Sequence, residues 1–347
     1  MKAAGWLGGG SLVDRENRKA VLRELYLDVG LGGADVRLGK QIIAWGRADA
    51  LNPTDNLTRR DLTVLVPDDD DQKIGAPAVK VSLPVGGATV TAVWLAGFQG
   101  DELPLGAPPP GVRFAQRMPR DGAAQGALKV EQSGGKVDWS ASYFTGFDVT
   151  PDIALRGGAA DPTIELAHHR LHVVGADAAT STGGYGLRAE AAWIRTENSG
   201  GDDPEIKNST LYAVAGADRT YDGYLNVNFQ YVVRRVNGFT PRSTISDPAR
   251  RDAALVLARI SQQLRPVQQG ATMRISNKWM HETLAAELAG IFLSPPWQLA
   301  IRPRLTYAAT DDWSILLGGD VLNGGSETLF RELRKNSLAF LEVRRGL

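Results

Sequence analysis

The feature that most constrains this chain is an alternation of apolar and polar residues that returns from end to end. Leu25, Leu27 and Val29 alternate with Glu24 and Asp28. Val137, Trp139, Ala141 and Tyr143 alternate with Asp138, Ser140 and Ser142. Leu187, Ala189, Ala191 and Trp193 alternate with Arg188 and Glu190. Leu225, Val227, Phe229, Tyr231 and Val233 alternate with Asn226, Asn228, Gln230 and Arg234. Met273, Ile275 and Trp279 oppose Arg274 and Lys278, and Leu299, Ile301 and Leu305 oppose Arg302 and Arg304. A period of two is the mark of β-strands with two unlike faces. These segments run to about 10–13 residues, against a mode of about 5–6 in soluble sheets. A tilted strand of about 9–11 residues crosses a bilayer. One face is apolar with aromatics towards its ends, and the other is charged. The pattern predicts an all-β fold, a transmembrane antiparallel β-barrel with lipid outside and a wet lumen inside.

The connections support the same reading. Short ones fall at Gly30–Gly33, Gly86–Gly87, Ser133–Gly135 and about 219–223, and long ones at about 47–76, 99–123, 148–163 and 197–208. Short turns on one side and long loops on the other are what such barrels have. Trp94, Trp139, Tyr143, Trp193, Phe229, Tyr231, Trp279, Trp297, Tyr307 and Trp313 fit girdles at the two interfaces.

Composition excludes more than it assigns. The 39 basic residues balance the 39 acidic ones, so no nucleic-acid partner is expected. With no cysteine in 347 residues, disulfides, thiolate catalysis and Cys-ligated metals are excluded. No run reaches the roughly 18–20 apolar residues of a membrane helix, which is no objection to a barrel. No phosphate-cradling glycine loop or nucleophile elbow is present, so no enzyme activity and no cofactor are expected.

One segment departs from the strand pattern. Ser246-Asp247-Pro248 is a helix-start signal, and Pro266 ends the run that follows. It predicts a helix over 248–264 in a long outer loop; the alternative is a further strand, since Leu255, Val256 and Leu257 suit one. With the helix, about 15 strands are counted where an even number is expected. Residues 1–19 read as a loop-like segment and 20–347 as the barrel, which leaves one strand of a probable 16 missing. The start has no apolar stretch of a signal peptide, so the expectation is a chain truncated at its N-terminus.

The stretch from Arg37 to Asp55 adds a resemblance. Arg37, Gly39, Lys40 and Gln41, then Trp45-Gly46 and Asn52-Pro53 with Asp55, resemble the early strand and loop of Gram-negative outer-membrane porin-like barrels related to alginate-export porins. The segments 301–307 and 340–344 are similar too. The resemblance implies a bacterial outer-membrane location and a barrel, and names no substrate; with the polar inward faces the expectation is a channel for passive diffusion of small polar or anionic solutes. It implies membrane lipid, lipopolysaccharide and the barrel-assembly machinery as partners.

Inward parity selects the candidate pore-lining residues: Glu24, Asp28, Arg37, Arg188, Glu190, Arg234, Arg274, Lys278, Glu287, Arg302 and Arg304. Charged side chains facing a lumen set solute preference. The basic ones either form one wall that favours anions or pair with lumen acids and stiffen the barrel. The segment carrying Trp45, Gly46, Arg47, Asn52, Pro53 and Asp55 is the candidate constriction loop, since Gly46 permits a sharp turn and Pro53 stiffens it; a loop packed on the rim is the alternative. The run Asp68–Asp71 lacks the spacing of a known calcium loop. On a regular strand His168 and His172 would share one face with His169 on the other, and no partner ligand is identifiable, so no metal is expected. Two other functions stay open: a plugged barrel with a structural or adhesive role, and a soluble exported carbohydrate-binding β-protein.

Overall fold

The computed structural model describes residues 1–11, 16–63, 69–103, 108, 110–120, 123–158 and 161–345. Sixteen strands follow one another as neighbours in a single antiparallel sheet, which forms the barrel. They are β1 (Lys2–Ser11), β2 (Glu16–Leu31), β3 (Ala34–Gln41), β4 (Ala76–Val85), β5 (Ala88–Leu95), β6 (Gln125–Gln132), β7 (Asp138–Phe147) and β8 (Arg170–Thr182). The second half comprises β9 (Tyr185–Thr196), β10 (Thr210–Tyr221), β11 (Leu225–Val236), β12 (Val267–Trp279), β13 (Leu284–Ser294), β14 (Gln298–Ala308), β15 (Trp313–Gly324) and β16 (Leu338–Arg345).

The count corrects the expected boundary. Residues 2–11 are not a loop but the first strand, paired with β2 from Lys2↔Tyr26 to Ser11↔Glu16. The sixteenth strand called for by the even count is therefore β1. Glycines at 5, 8, 9 and 10 hide the alternation there. Both ends of the sheet come out at the side of the short turns, because β2–β3, β4–β5, β6–β7 and each following even–odd pair are joined tightly.

Strand parity is inverted relative to a soluble protein. Leu27, Trp94, Trp139, Tyr143, Trp193, Phe229, Tyr231, Met273, Leu288, Leu305, Leu317 and Leu341 are exposed. Glu24, Asp177, Glu190, Asn228, Gln230 and Gln298 are buried. An exposed apolar area that continuous exceeds the few hundred Å² a monomer shows to water, and a belt of this kind is a lipid-facing surface. All ten girdle aromatics lie on it.

The outer loops hold further structure that the sequence pattern showed only as loop. Arg113–Arg117, Asp152–Arg156 and Thr163–Ala167 form a three-stranded sheet. Helix α1 (Pro248–Ile260) forms as expected, four residues shorter. Asp247 caps it by accepting from Ala249 N–H at 2.9 Å, and Leu257 packs with Ile153 and Leu166 of the small sheet. His168 and His169 precede β8 rather than sharing its faces. His168 Nδ1 lies 2.7 Å from the Asp148 carbonyl, His169 Nδ1 2.7 Å from Asp152, and His172 Nδ1 2.7 Å from the Tyr143 hydroxyl. The three rings thus have separate partners. In the acidic run Asp70 pairs with Lys73 at 2.8 Å and Asp71 with Arg23 at 2.7 Å, while Asp68 lies outside the described residues.

Candidate pore and its inward loop

The connection from β3 to β4, residues 42–75, decides the shape of the lumen. It leaves the third strand and bonds to inward residues of the eighth, ninth, eleventh and twelfth. A segment that spans so much of the ring reaches inward-facing side chains only through the interior. The rim alternative is therefore corrected: Trp45 to Asp55 lie inside the barrel.

Glu190 on β9 is the anchor. Its Oε2 accepts from the backbone N–H of Arg47 at 2.9 Å and of Ala48 at 3.0 Å. Its Oε1 accepts from Thr54 N–H and from the Thr54 hydroxyl, both at 2.8 Å. Four donors thus converge on one buried carboxylate. Gly46 makes the approach possible. Its φ is +101°, and a Cβ there would lie 2.5 Å from Glu190 Oε2. Arg47 then turns to Asp177 on β8 at 2.6 Å. Asp49 meets Arg188 at 3.3 Å and Arg274 at 3.5 Å and accepts from Asn228.

On one side the loop is dry. Ile43, Trp45 and Leu57 form a core with inward residues of β4 to β9: Ala78, Val93, Leu95, Ala127, Phe144, Leu171, Val173 and Ala192. Burying Trp45 alone contributes on the order of 3 kcal/mol. At the level of Trp45 that half of the lumen is filled.

On the other side it is wet. A cavity of about 450 Å³ lies between the loop and the wall of β11 to β15. Its charged lining is Asp49, Arg60, Asp70 and Lys73 from the loop side and Arg274, Glu287, Arg302, Arg304 and Asp320 from the wall. A second cavity of about 430 Å³ shares Glu287 and Arg304 and continues to Lys278 near the short turns. The two make a corridor displaced to one side of the barrel. A separate space of about 580 Å³ under the loop is lined by Arg47, Asp138, Arg188 and Asp218.

All eleven candidate lining residues point inward, but they do not form one basic wall. Arg302 pairs with Asp320 at 2.5 Å, Arg304 with Glu287 at 3.8 Å, Arg37 with Asp28 at 2.6 Å and Lys278 with Glu282 at 2.6 Å. Arg188 also pairs with Asp218, and Glu24 with Lys2 at 2.6 Å. Arg234 instead donates to the Ser261 carbonyl at 3.2 Å and lies over the Tyr212 ring. Two polar atoms at the corridor, Asn52 Oδ1 and Arg304 Nε, are buried without a partner.

Pro53 and Asp55 sit at the foot of the loop, with Asp55 Oδ2 3.9 Å from Arg60. Burial pushes the Asp55 carboxyl up to about 6; Lys73, Arg60 and the Trp45 N–H draw it down, and Glu190 adds to the rise. The docked loop thus holds the Asp55 proton more tightly than the free chain does. Docking gains from acidification between about pH 6 and pH 4 and loses that contribution as pH rises through 6. The difference from an ordinary aspartate is at most about 3 kcal/mol at neutral pH. Asp55→Asn is expected to raise the thermal midpoint of the detergent-solubilised barrel at pH 7.5 and to flatten its dependence between pH 4 and 6. An unchanged profile in tryptophan fluorescence melts would refute this.

Asp101 links the inward loop to the outer ones. Its carboxylate accepts from Arg60 N–H at 2.7 Å and from the Thr150 hydroxyl at 2.6 Å, and burial raises its pKa. Lys207 pairs with Asp148 at 2.8 Å. Sequence reading missed Asp49, Asp177, Asp101 and Asp320. Asp177 and Asp320 stand on inward parity and were within its reach; Asp49 and Asp101 are loop residues with no local signal.

No protein-family model matches the sequence, and no curated protein does. Solved structures do. The chain is similar to OccK5 (OpdH) of Pseudomonas aeruginosa at 11% identity and a TM-score of 0.52, over 99% of this chain and 86% of that one. It is similar to OccK10 (OpdN) of the same organism at 9% identity and a TM-score of 0.52, over 100% and 99%. OccK11 (OpdR), also of that organism, aligns at 10% identity and a TM-score of 0.50, over 95% and 80%. These likenesses establish the fold. The chain is a porin-type β-barrel of sixteen strands. A barrel with this belt and these turns is a bacterial outer-membrane protein.

Proposed function

We propose that the chain is a passive channel for small polar and anionic solutes, with the segment Trp45 to Asp55 setting its narrowest cross-section. The observation that carries this reading is the corridor: one side of the lumen is sealed by an apolar core, and the other stays open and charged along β11 to β15. The lining carries Arg60, Lys73, Arg274, Arg302 and Arg304 against Asp49, Asp70, Glu287 and Asp320. That near-balance supports a weak preference for anions rather than a strong one.

Single-channel recording of the refolded chain in a planar bilayer tests this. Discrete steps of reproducible size are expected. A folded barrel that gives no steps would overturn the reading in favour of a plugged, structural role.

A further inference from the structure

Strand β2 carries one residue more than its partner β1. Ala4 stands opposite Glu24 and Gly5 opposite Leu22, so Arg23 is the extra residue of a β-bulge. A bulge leaves that residue unpaired, bends the strand and re-aims a side chain. Leu22, Leu25 and Leu27 are exposed on the outward face, while Glu24 and Tyr26 are buried on the inward one. Strict alternation from Glu24 would send Arg23 outward into lipid. The bulge turns it inward beside Glu24 instead.

Once inside, the guanidinium meets the return leg of the inward loop. Nη1 donates to Asp71 Oδ1 at 2.7 Å, Nε to the Lys73 carbonyl at 3.1 Å, and Nη2 to the Asp70 carbonyl. The Arg23 carbonyl accepts the Gly75 N–H at 3.0 Å, and a Cβ at Gly75 would lie 2.7 Å from that oxygen. One bulge residue thus holds residues 70–75 through its side chain and its backbone. The planar fork of an arginine reaches three acceptors spread along four residues, which the single nitrogen of a lysine does not.

This leg is not the one that Glu190 holds. Glu190 takes donors from residues 47–54, whereas Arg23 takes acceptors from residues 70–73. Asp70 and Lys73 pair with each other at 2.8 Å and belong to the loop side of the corridor. Arg23 does not line that corridor. It touches the permeation path only through the residues it holds.

We infer that Arg23 is a positioning residue for the channel: the bulge in β2 is a second latch, independent of Glu190, that keeps the Asp70–Lys73 edge of the inward loop in place and fixes the width of the corridor there. This rests on the channel reading above. Asp70 and Lys73 withdraw as a neutral pair, so release widens the corridor and leaves the balance of its charges as it was.

Hydrogen exchange followed by mass spectrometry on the detergent-solubilised barrel reads the latch without requiring conduction. In Arg23→Ala and in Arg23→Lys the amides of residues 70–75 should exchange about tenfold faster or more, with those of residues 47–54 unchanged. In a planar bilayer both variants should show a larger, flickering conductance and an unaltered reversal potential in a salt gradient. Keeping the charge in Arg23→Lys does not rescue, because the fork is what is lost. Unchanged exchange over residues 70–75 would overturn the inference. So would faster exchange at an unaltered conductance, or an Arg23→Lys variant that behaves as the unaltered chain. A shifted reversal potential at unchanged exchange would replace the latch with a direct field effect on the ions. Faster exchange in the variants of a chain that conducts nothing would support the latch and overturn the channel reading.

Discussion

Glu190→Ala is expected to release the inward loop and turn a narrow channel into a wide, noisy one. The carboxylate accepts from three backbone amides and one hydroxyl of residues 47–54. Hydrogen bonds to a charged group contribute about 1.5–3 kcal/mol each, and the donors left behind are buried. These donors share one acceptor, so the losses do not add; roughly 3–4 kcal/mol of docking is a fair expectation. At about 1.4 kcal/mol per factor of ten, the undocked population rises by two orders of magnitude or more. The apolar contacts of Trp45 and Leu57 oppose release, so the expected signature is frequent switching between a small and a large conductance. A single unaltered conductance would show that Glu190 does not hold the constriction. Glu190→Gln separates charge from geometry: it keeps two acceptor pairs on one atom and forces an NH₂ towards two donors. It should fall between wild type and alanine.

Reversing two wall charges is expected to reverse ion preference. Arg302 and Arg304 lie on β14 with Asp320 and Glu287 as their partners. In Arg302→Glu with Arg304→Glu, each glutamate would face an acid across a wet corridor, and the anionic residues would outnumber the cationic ones. A shift of about 1–2 kcal/mol in the barrier difference between small cations and anions changes their permeability ratio by about tenfold. Reversal potentials in a salt gradient should therefore move from a weak anion preference to a clear cation preference. If they do not move, permeation avoids β14, and the corridor has been assigned to the wrong wall.

The alternation exposed nearly all of the barrel, because the two faces of a membrane strand differ in the property that a sequence displays most openly. Leu225 to Val233 is the plainest case. The first strand escaped because Gly5, Gly8, Gly9 and Gly10 carry no side chain to alternate. The helix was legible from Asp247 and Pro248, whose roles are local. Trp45, Gly46 and Arg47 marked the inward loop, yet its anchor lies more than 140 residues away on β9, and no local pattern connects them. The choice between a basic wall and paired charges stayed open for a related reason: Asp320 and Glu287 sit on strands neighbouring β14, and pairing across strands is a matter of register. One signal was present and passed over. Val93 and Leu95 are apolar on the inward parity of β5, as are Leu171 and Val173 on β8. A strand apolar on both faces inside a water-filled barrel is a contradiction unless something covers it.

That dry half of the lumen gives one cylinder two sets of evolutionary rules. Along β11 to β15 an inward residue can be exchanged for another polar one at the expense of selectivity alone, so this wall is free to drift towards new solutes. Where β4 to β9 pack on Trp45, the same exchange opens a cavity or strands a charge, and it would be selected against as a folding defect. New specificities in this barrel should therefore be found on one arc of its circumference, while the opposite arc is held nearly constant.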